Sequence, residues 1–267
     1  MLKTAIMITS CDAYKDCWGP MIHSLDKHWP DCSFPRYVVT NFEEENLPNT
    51  TIVKIGDDKR SWCTLAKKGL EAIDCDCIIF FQDDYWLSHR INNQAIIKHV
   101  EYFEEQNLDY LKLDKDFLRD ELRIGDTDYC QNPINKRYTL NTAIAIWRKS
   151  TMLKVFVDGW SGWDYERKIV PYLKEKGITI KSQSLHSSVL DEKGIYDMNG
   201  GAIYRGRWTD TAVEFLKENG YANLINLREQ QGRFITWLSN KMPAPTSIFR
   251  FPFWGILKLL RKFDLNW

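Results

Sequence analysis

Through its first half the chain alternates short apolar runs with stretches in which apolar residues recur every three or four positions. The runs at 4–9, 35–40, 51–55 and 77–82 predict strands. Between them Trp18, Met21, Ile22, Leu25 and Trp29 line one face of a helix, and Leu65, Leu70 and Ile73 mark a second, less regular one. A helix over 92–106 follows, with Ile96, Ile97, Val100 and Phe103 on one side, and then a strand over 110–113. From Asp114 to Arg137 charged residues, Asn, Gly and Pro dominate, which predicts an irregular excursion or an active-site loop. Periodicity returns as a strand over 138–147, a short helix over 149–157, a helix from 163–166 to Lys176 stopped by Gly177, and a strand over 178–181. Strands alternating with helices predict an α/β sheet with crossover helices.

Composition narrows the classes. The 267 residues, 44% hydrophobic and 13% aromatic, can bury a sizeable core as one large domain or a domain with an appendage. Lys and Arg number 36 and Asp and Glu number 36, so the chain lacks the basic footprint of a general nucleic-acid binder. Its seven cysteines form no CxxC pair and no set beside regularly spaced histidines, which points away from a disulfide framework or a zinc site and toward a reducing compartment. Cys75 and Cys77 read as small buried residues. The stretch from Met1 to Thr9 reads as a first strand and not as a signal peptide, and no run reaches the ~20 apolar residues of a membrane span. The expected location is cytoplasmic. After Pro243, Pro245 and Pro252, a final stretch places Phe253, Ile256, Leu257, Leu260 and Phe263 on one helical side and Lys258 and Lys262 opposite. This basic amphipathic tail suits peripheral contact with the inner face of a membrane, and equally docking on its own domain or on a second copy.

Acidic motifs carry the candidate chemistry. Asp-x-Asp occurs at Asp74/Asp76, Asp114/Asp116 and Asp126/Asp128, so the bare spacing discriminates little. Gln82-Asp83-Asp84 differs in context, because there a buried-type run, Cys77 to Phe81, ends abruptly in adjacent carboxylates. Strand ends are where α/β sheets bind ligands. Side chains alternate along a strand, so Asp83 and Asp84 are expected to point differently, with one facing a cleft. The plain alternative is a pair of Asp residues capping a turn. A second cluster, Gly159 to Glu166, places two tryptophans and two carboxylates at a helix start. Trp163 there offers a platform for a sugar ring, and Asp164 or Glu166 a group to take a hydroxyl proton; a helix N-terminus with a buried Trp is the alternative.

The order of Thr9-Ser10-Cys11-Asp12, a helix beginning near Ser61-Trp62, Gln82-Asp83-Asp84 and Gly162-Trp163-Asp164-Tyr165-Glu166 resembles bacterial glycosyltransferases of the GT-A fold, over roughly residues 1–206. The resemblance implies a Rossmann-type mixed sheet flanked by helices, with residues 207–241 as a helical C-terminal extension and 242–267 as the tail. It implies a nucleotide-diphosphate sugar as donor and a glycan or lipid-linked saccharide as acceptor, in cell-surface polysaccharide assembly. Thr9, Ser10 and Asp12 would contact the nucleotide. Gln82, Asp83 and Asp84 would hold the diphosphate, with Mn²⁺ or Mg²⁺ on Asp84. Gln82 stands where some members carry Glu, which leaves the metal dispensable. Trp163 would meet the acceptor, and Asp164, ahead of Glu166, would be the base of an inverting reaction.

Further candidates are Asp57 and Trp62 for the base or ribose, His186 as a late metal ligand, and Arg205 and Arg207 for the leaving diphosphate. Each has a plain alternative: a solvated loop with a helix cap, a structural histidine, and a solvated basic loop. Three competing functions follow from the same residues, one of them a glycosidase, which also uses two carboxylates and would hydrolyse a glycan without any nucleotide. A sugar-1-phosphate nucleotidyltransferase needs a glycine-rich loop after the first strand, and Thr9 to Tyr14 contains no glycine. A non-catalytic carbohydrate-binding or scaffold protein would bind glycan and ignore nucleotide sugars.

Overall fold

A computed structural model describes residues 2–56, 61–114, 122–135, 138–189 and 201–231. In chain order the strands are β1 (Thr4–Thr9), β2 (Arg36–Thr40), β3 (Thr50–Lys54), β4 (Cys77–Gln82), β5 (Tyr110–Lys112), β6 (Leu122–Arg123), β7 (Tyr129–Gln131), β8 (Ala145–Arg148), β9 (Ser182–Leu185), β10 (Ile203–Tyr204) and β11 (Arg207–Trp208). The helices are α1 (Trp18–His28), α2 (Trp62–Ala72), α3 (Asn93–Glu105), α4 (Lys149–Val155), α5 (Gly162–Lys176) and α6 (Asp210–Glu218). Nine strands form one mixed sheet in the order β3-β2-β1-β4-β8-β5-β9-β7-β6, and β10 and β11 form a separate hairpin. β1 to β4 run parallel, β8 runs antiparallel to both β4 and β5, and β9 returns parallel to β5. This is the mixed α/β sheet flanked by helices that the pattern predicts.

Side-chain alternation on the central strands divides the core in two. Ile6, Ile8, Ile79 and Phe81 face one layer, where α1 contributes Trp18, Met21 and Leu25, α3 contributes Val100 and Phe103, and α6 contributes Val213 and Leu216. Ala5, Met7, Ile78 and Phe80 face the other, with Leu65 and Leu70 of α2, Met152 and Val155 of α4, and Tyr165 and Ile169 of α5. A strand covered on both faces reads as a continuous apolar run, which is why β1 and β4 are plain in the sequence. Helix starts follow their caps. Ser61 accepts from the Thr64 amide, Asn92 from the Ala95 amide, and Ser161 and Asp164 form a reciprocal capping box for α5. Gly177 ends α5 in the left-handed region (φ 63°).

Three expectations change. The strand foreseen over 138–147 is regular only from Ala145, because the Thr142 amide is drawn to Glu166 and the Ala143 amide to the Asn141 side chain. The strand foreseen over 178–181 lies four residues later, at Ser182–Leu185: Ile178 and Ile180 pack against the core from outside the sheet, while the more polar segment pairs with β5 and β7. The irregular excursion over 114–137 contributes β6 and β7 to the sheet edge. A boundary at 206 falls on the turn of the β10–β11 hairpin, and Trp208, Ala212, Val213, Leu216 and Ile225 belong to the same core as α1 and α3. Residues 232–241 and the tail at 242–267 lie outside the described residues. Among the described residues no helix is long and apolar enough to cross a membrane.

Candidate functional site

From β1 the strand order moves outward through β2 to β3, and the chain then returns through α2 to place β4 on the opposite side of β1. Such a reversal opens a crevice at the carboxyl ends of the two central strands. Here those ends are Thr9-Ser10 and Gln82-Asp83-Asp84, and the β1–β4 register sets Thr9 opposite Gln82. Ser10 Oγ donates to Asp83 Oδ2 at 2.5 Å and accepts from Trp18 Nε1 at 2.6 Å. Thr9 Oγ1 donates to the Phe81 carbonyl, so its hydroxyl ties the two strand ends together. Asp83 is 7% exposed. Burial, and then the neighbouring Asp84 charge, push its carboxyl well above the ordinary range, although the Ser10 hydroxyl and Arg228 pull the other way. Burial also raises Asp84, to about 7, against the opposing effects of the Ile203 amide, its own amide and Arg228.

Gln82 points to the opposite layer. Its Nε2 donates to Thr142 Oγ1 at 2.8 Å and to the Thr142 carbonyl at 3.2 Å, and Thr142 Oγ1 and N donate in turn to Glu166 Oε1 at 2.8 and 2.9 Å. A continuous polar relay thus joins the end of β4 to the second turn of α5. Glu166 Oε1 is held by Thr142, and Oε2 has no partner among the described residues. Asp164, three residues after the cap, is committed elsewhere: Oδ2 accepts from Ser161 N and Oγ, and Oδ1 pairs with Lys168 at 2.9 Å. The Lys168 ammonium and then Ser161 hold its carboxyl down to about 2. Trp163 projects beside them, 70% exposed.

The remaining candidates separate into two groups. Asp12 accepts from Thr40 Oγ1 and from the Phe42 and Glu43 amides, which pins the loop after β2 and, against the effect of burial, holds its carboxyl below the usual range. It also lines a cleft of about 520 Å³ whose far wall includes Gly206, Arg228 and Glu229. Arg205 and Gly206 form the two-residue turn between β10 and β11 with φ of 51° and 78°, the positive values such hairpins require. Arg205 is exposed over the Tyr204 ring, while Arg207 pairs with Glu229 at 2.9 Å. Trp62 and His186 stand apart from the strand ends. Trp62 packs among Phe80, Phe156 and Tyr165. His186 follows β9, three sheet positions from β4 or about 14 Å, and its Nδ1 accepts from the Ser188 amide. Asp57 lies outside the described residues.

Three site residues carry no signal in the sequence. Thr142 lies inside a run that reads as strand. Gly201 touches Asp84. Arg228 forks onto Asp16 with two bonds of 2.6 Å and stacks over Tyr14 at 4.5 Å and Trp208 at 5.5 Å, tying the C-terminal side of the hairpin to the loop after β1.

A scan against protein-family models gives no match, and a search of the curated proteins gives none. Solved structures give distant likenesses. Staphylococcus aureus TarS 1-349 is 16% identical over 68% of this chain and 58% of that one, with a TM-score of 0.46. A cytidylyltransferase from Leptospira borgpetersenii serovar Hardjo-bovis is 16% identical over 92% and 99% of the two chains, with a TM-score of 0.45. CMP:2-keto-3-deoxy-manno-octonic acid synthetase complexed with CTP is 12% identical over 68% and 90%, with a TM-score of 0.42. This chain spans 58% and 35% of the two TarS chains that head these likenesses. At such scores they carry no conclusion about its activity.

The Asp83–Asp84 pair was tested for its fit to a divalent cation. Asp83, buried, and Asp84, half-buried, are adjacent carboxylates that supply the hard oxygen donors Mg²⁺ or Mn²⁺ takes, and such ions commonly bind through one or two carboxylates plus substrate phosphates. Among the described residues no group of three or more His, Cys, Asp or Glu is gathered as a ligand cluster.

Proposed function

We propose that this protein transfers a sugar from a nucleotide-diphosphate donor to a hydroxyl of a glycan or lipid-linked saccharide. The observation that carries the reading is the relay Gln82–Thr142–Glu166, which links the strand end bearing Asp83 and Asp84 to a carboxylate on a helix that presents an exposed tryptophan. One end suits a diphosphate and the other suits a sugar hydroxyl, and transfer needs both within one crevice.

In this account Asp84 holds the divalent cation, which when bound would neutralise charge on the departing diphosphate. The bond between the anomeric carbon and the donor phosphate oxygen breaks, and the electron pair leaves with the phosphate. The acceptor oxygen forms the new bond, and Glu166 Oε2 takes its proton. Glu166 fills this role ahead of Asp164, because Asp164 is spent on the capping box and the Lys168 ion pair. Thr142 holds Oε1 and so presents Oε2 in one orientation. Trp163 provides the apolar face for the acceptor ring. Arg228, buried near the acid pair and locked by Asp16, moderates its negative charge. The nucleotidyltransferase reading lacks a glycine cradle: after Ser10 the chain enters a 3₁₀ turn at Asp12–Cys17 with no glycine in it.

The test is to incubate the protein with Mn²⁺, a panel of nucleotide-diphosphate sugars and oligosaccharide acceptors. Acceptor-dependent release of nucleoside diphosphate, with a gain of one sugar mass on the acceptor, is the expected result. Release of pyrophosphate from a nucleoside triphosphate and a sugar-1-phosphate would replace the proposal with nucleotidyl transfer.

A further inference from the structure

A short strap remote in sequence from β4 lies directly on Asp84. The Ala202 amide donates to the Asp84 carbonyl at 2.7 Å. Just before this bond Gly201 adopts φ +131° and brings its Cα against the carboxylate; a methyl group built there would sit 2.3 Å from Asp84 Oδ2 and 3.0 Å from Cγ. The position therefore requires glycine twice, for the backbone angle and for the space. The strap is itself fixed. Thr209 donates to the Ala202 carbonyl through both its amide (3.0 Å) and its hydroxyl (3.2 Å), and Trp208 packs its ring 5.8 Å from Trp86, whose Nε1 donates to the Asp83 carbonyl. Trp208 and Ala202 are fully buried. A residue whose backbone carbonyl is tied by the Ala202 amide and whose carboxylate lies against a glycine face has its orientation set by residues that touch no substrate.

We infer that Gly201 is a positioning residue for Asp84, and that the 201–203 strap is part of the donor site. The inference rests on the proposed transfer, since it gives Asp84 a ligand to meet. Groups that orient a metal-binding carboxylate commonly cost roughly 10–100-fold in affinity when they are lost. Gly201→Ala keeps every charge in the site but puts a methyl group where an Asp84 oxygen stands. Gly220→Ala is the control: Gly220 has φ +85°, with nothing within 4 Å of the added methyl, so it puts an alanine at positive φ away from the carboxylates.

The experiment is calorimetric titration of UDP, GDP, CDP and ADP, each with and without Mn²⁺, into wild type and both variants, alongside thermal melting. The expected result is that Gly201→Ala weakens whichever diphosphate the wild type binds by roughly 10–100-fold and loses the Mn²⁺ dependence, while Gly220→Ala binds as wild type. Should Gly201→Ala fail to fold, Asp84→Glu makes the same demand, because it keeps the charge and overreaches the gap beside Gly201; it must show the same loss. Wild-type affinity in Gly201→Ala, or in Asp84→Glu, overturns the inference while leaving the transferase reading intact. Silence of all four diphosphates with wild type overturns the transferase reading, and the inference with it.

Discussion

Asp83 and Asp84 at the end of β4, and Asp164 and Glu166 at the start of α5, are four carboxylates on two elements joined by the Gln82–Thr142 relay, yet the fold treats them in opposite ways. The β4 pair is enclosed by α1, Trp86 and the 201–203 strap, and burial pushes both carboxyls upward. Asp164, half-buried beside Lys168 and a capping serine, is driven down to about 2 by those partners. The contrast separates acids whose ionisation burial penalises from an acid that builds a helix. Glu166 is the member of the α5 pair that shares its oxygen with the β4 side of the site.

The largest test of that contrast is at α5. Glu166→Gln preserves the acceptor for Thr142 but removes the base, and turnover should fall by about 10²–10⁴-fold with donor affinity retained. Asp164→Asn should leave turnover at the wild-type level. Steady-state kinetics on both variants checks this, and the reverse order of effects would return the base to Asp164. A smaller effect is expected in stability. A carboxyl raised in the folded state holds a proton that the unfolded chain has released, so Asp84 costs the fold progressively as pH rises from about 4 toward 7, and the cost is complete above 7. Asp84→Asn should therefore melt a few degrees higher than wild type at pH 8 and show no gain near pH 4, at about 2–4 °C per kcal/mol for a chain of this size. Calorimetry at the two pH values decides it; a lower melting point at pH 8 would mean that the carboxylate is favourably paired. Smallest is Trp163→Ala, which should raise the acceptor KM by about 2–10-fold with kcat and melting temperature unchanged, since the ring is mostly in solvent.

The two halves of the sheet also differ in how far their sequences announce them. β1 to β4 are five or six residues long and the central pair is buried on both faces, so apolar runs such as Ala5 to Ile8 and Ile78 to Phe81 are enough to locate them. β5 to β9 are two to four residues long and owe their place to pairing. Ser182-Gln183-Ser184-Leu185 is a strand because β5 and β7 flank it, and nothing in its own hydropathy says so. The site divides in the same way. Gln82-Asp83-Asp84 is legible because a buried strand stops there. Thr142 and Arg228 are not, because each acquires its role from a partner 60 or 212 residues away. Asp164 also has a local structural reason for its place: its spacing from Ser161 is the spacing of a capping box.

The central claim is that a nucleoside diphosphate binds at the switch point between β1 and β4, on Asp84. Thermal melting of wild type and Asp84→Asn with UDP, GDP, CDP and ADP, each with Mn²⁺, tests it most directly. The account predicts that at least one diphosphate raises the wild-type melting temperature and leaves Asp84→Asn where it was. No shift with any diphosphate, or the same shift in both proteins, would contradict it.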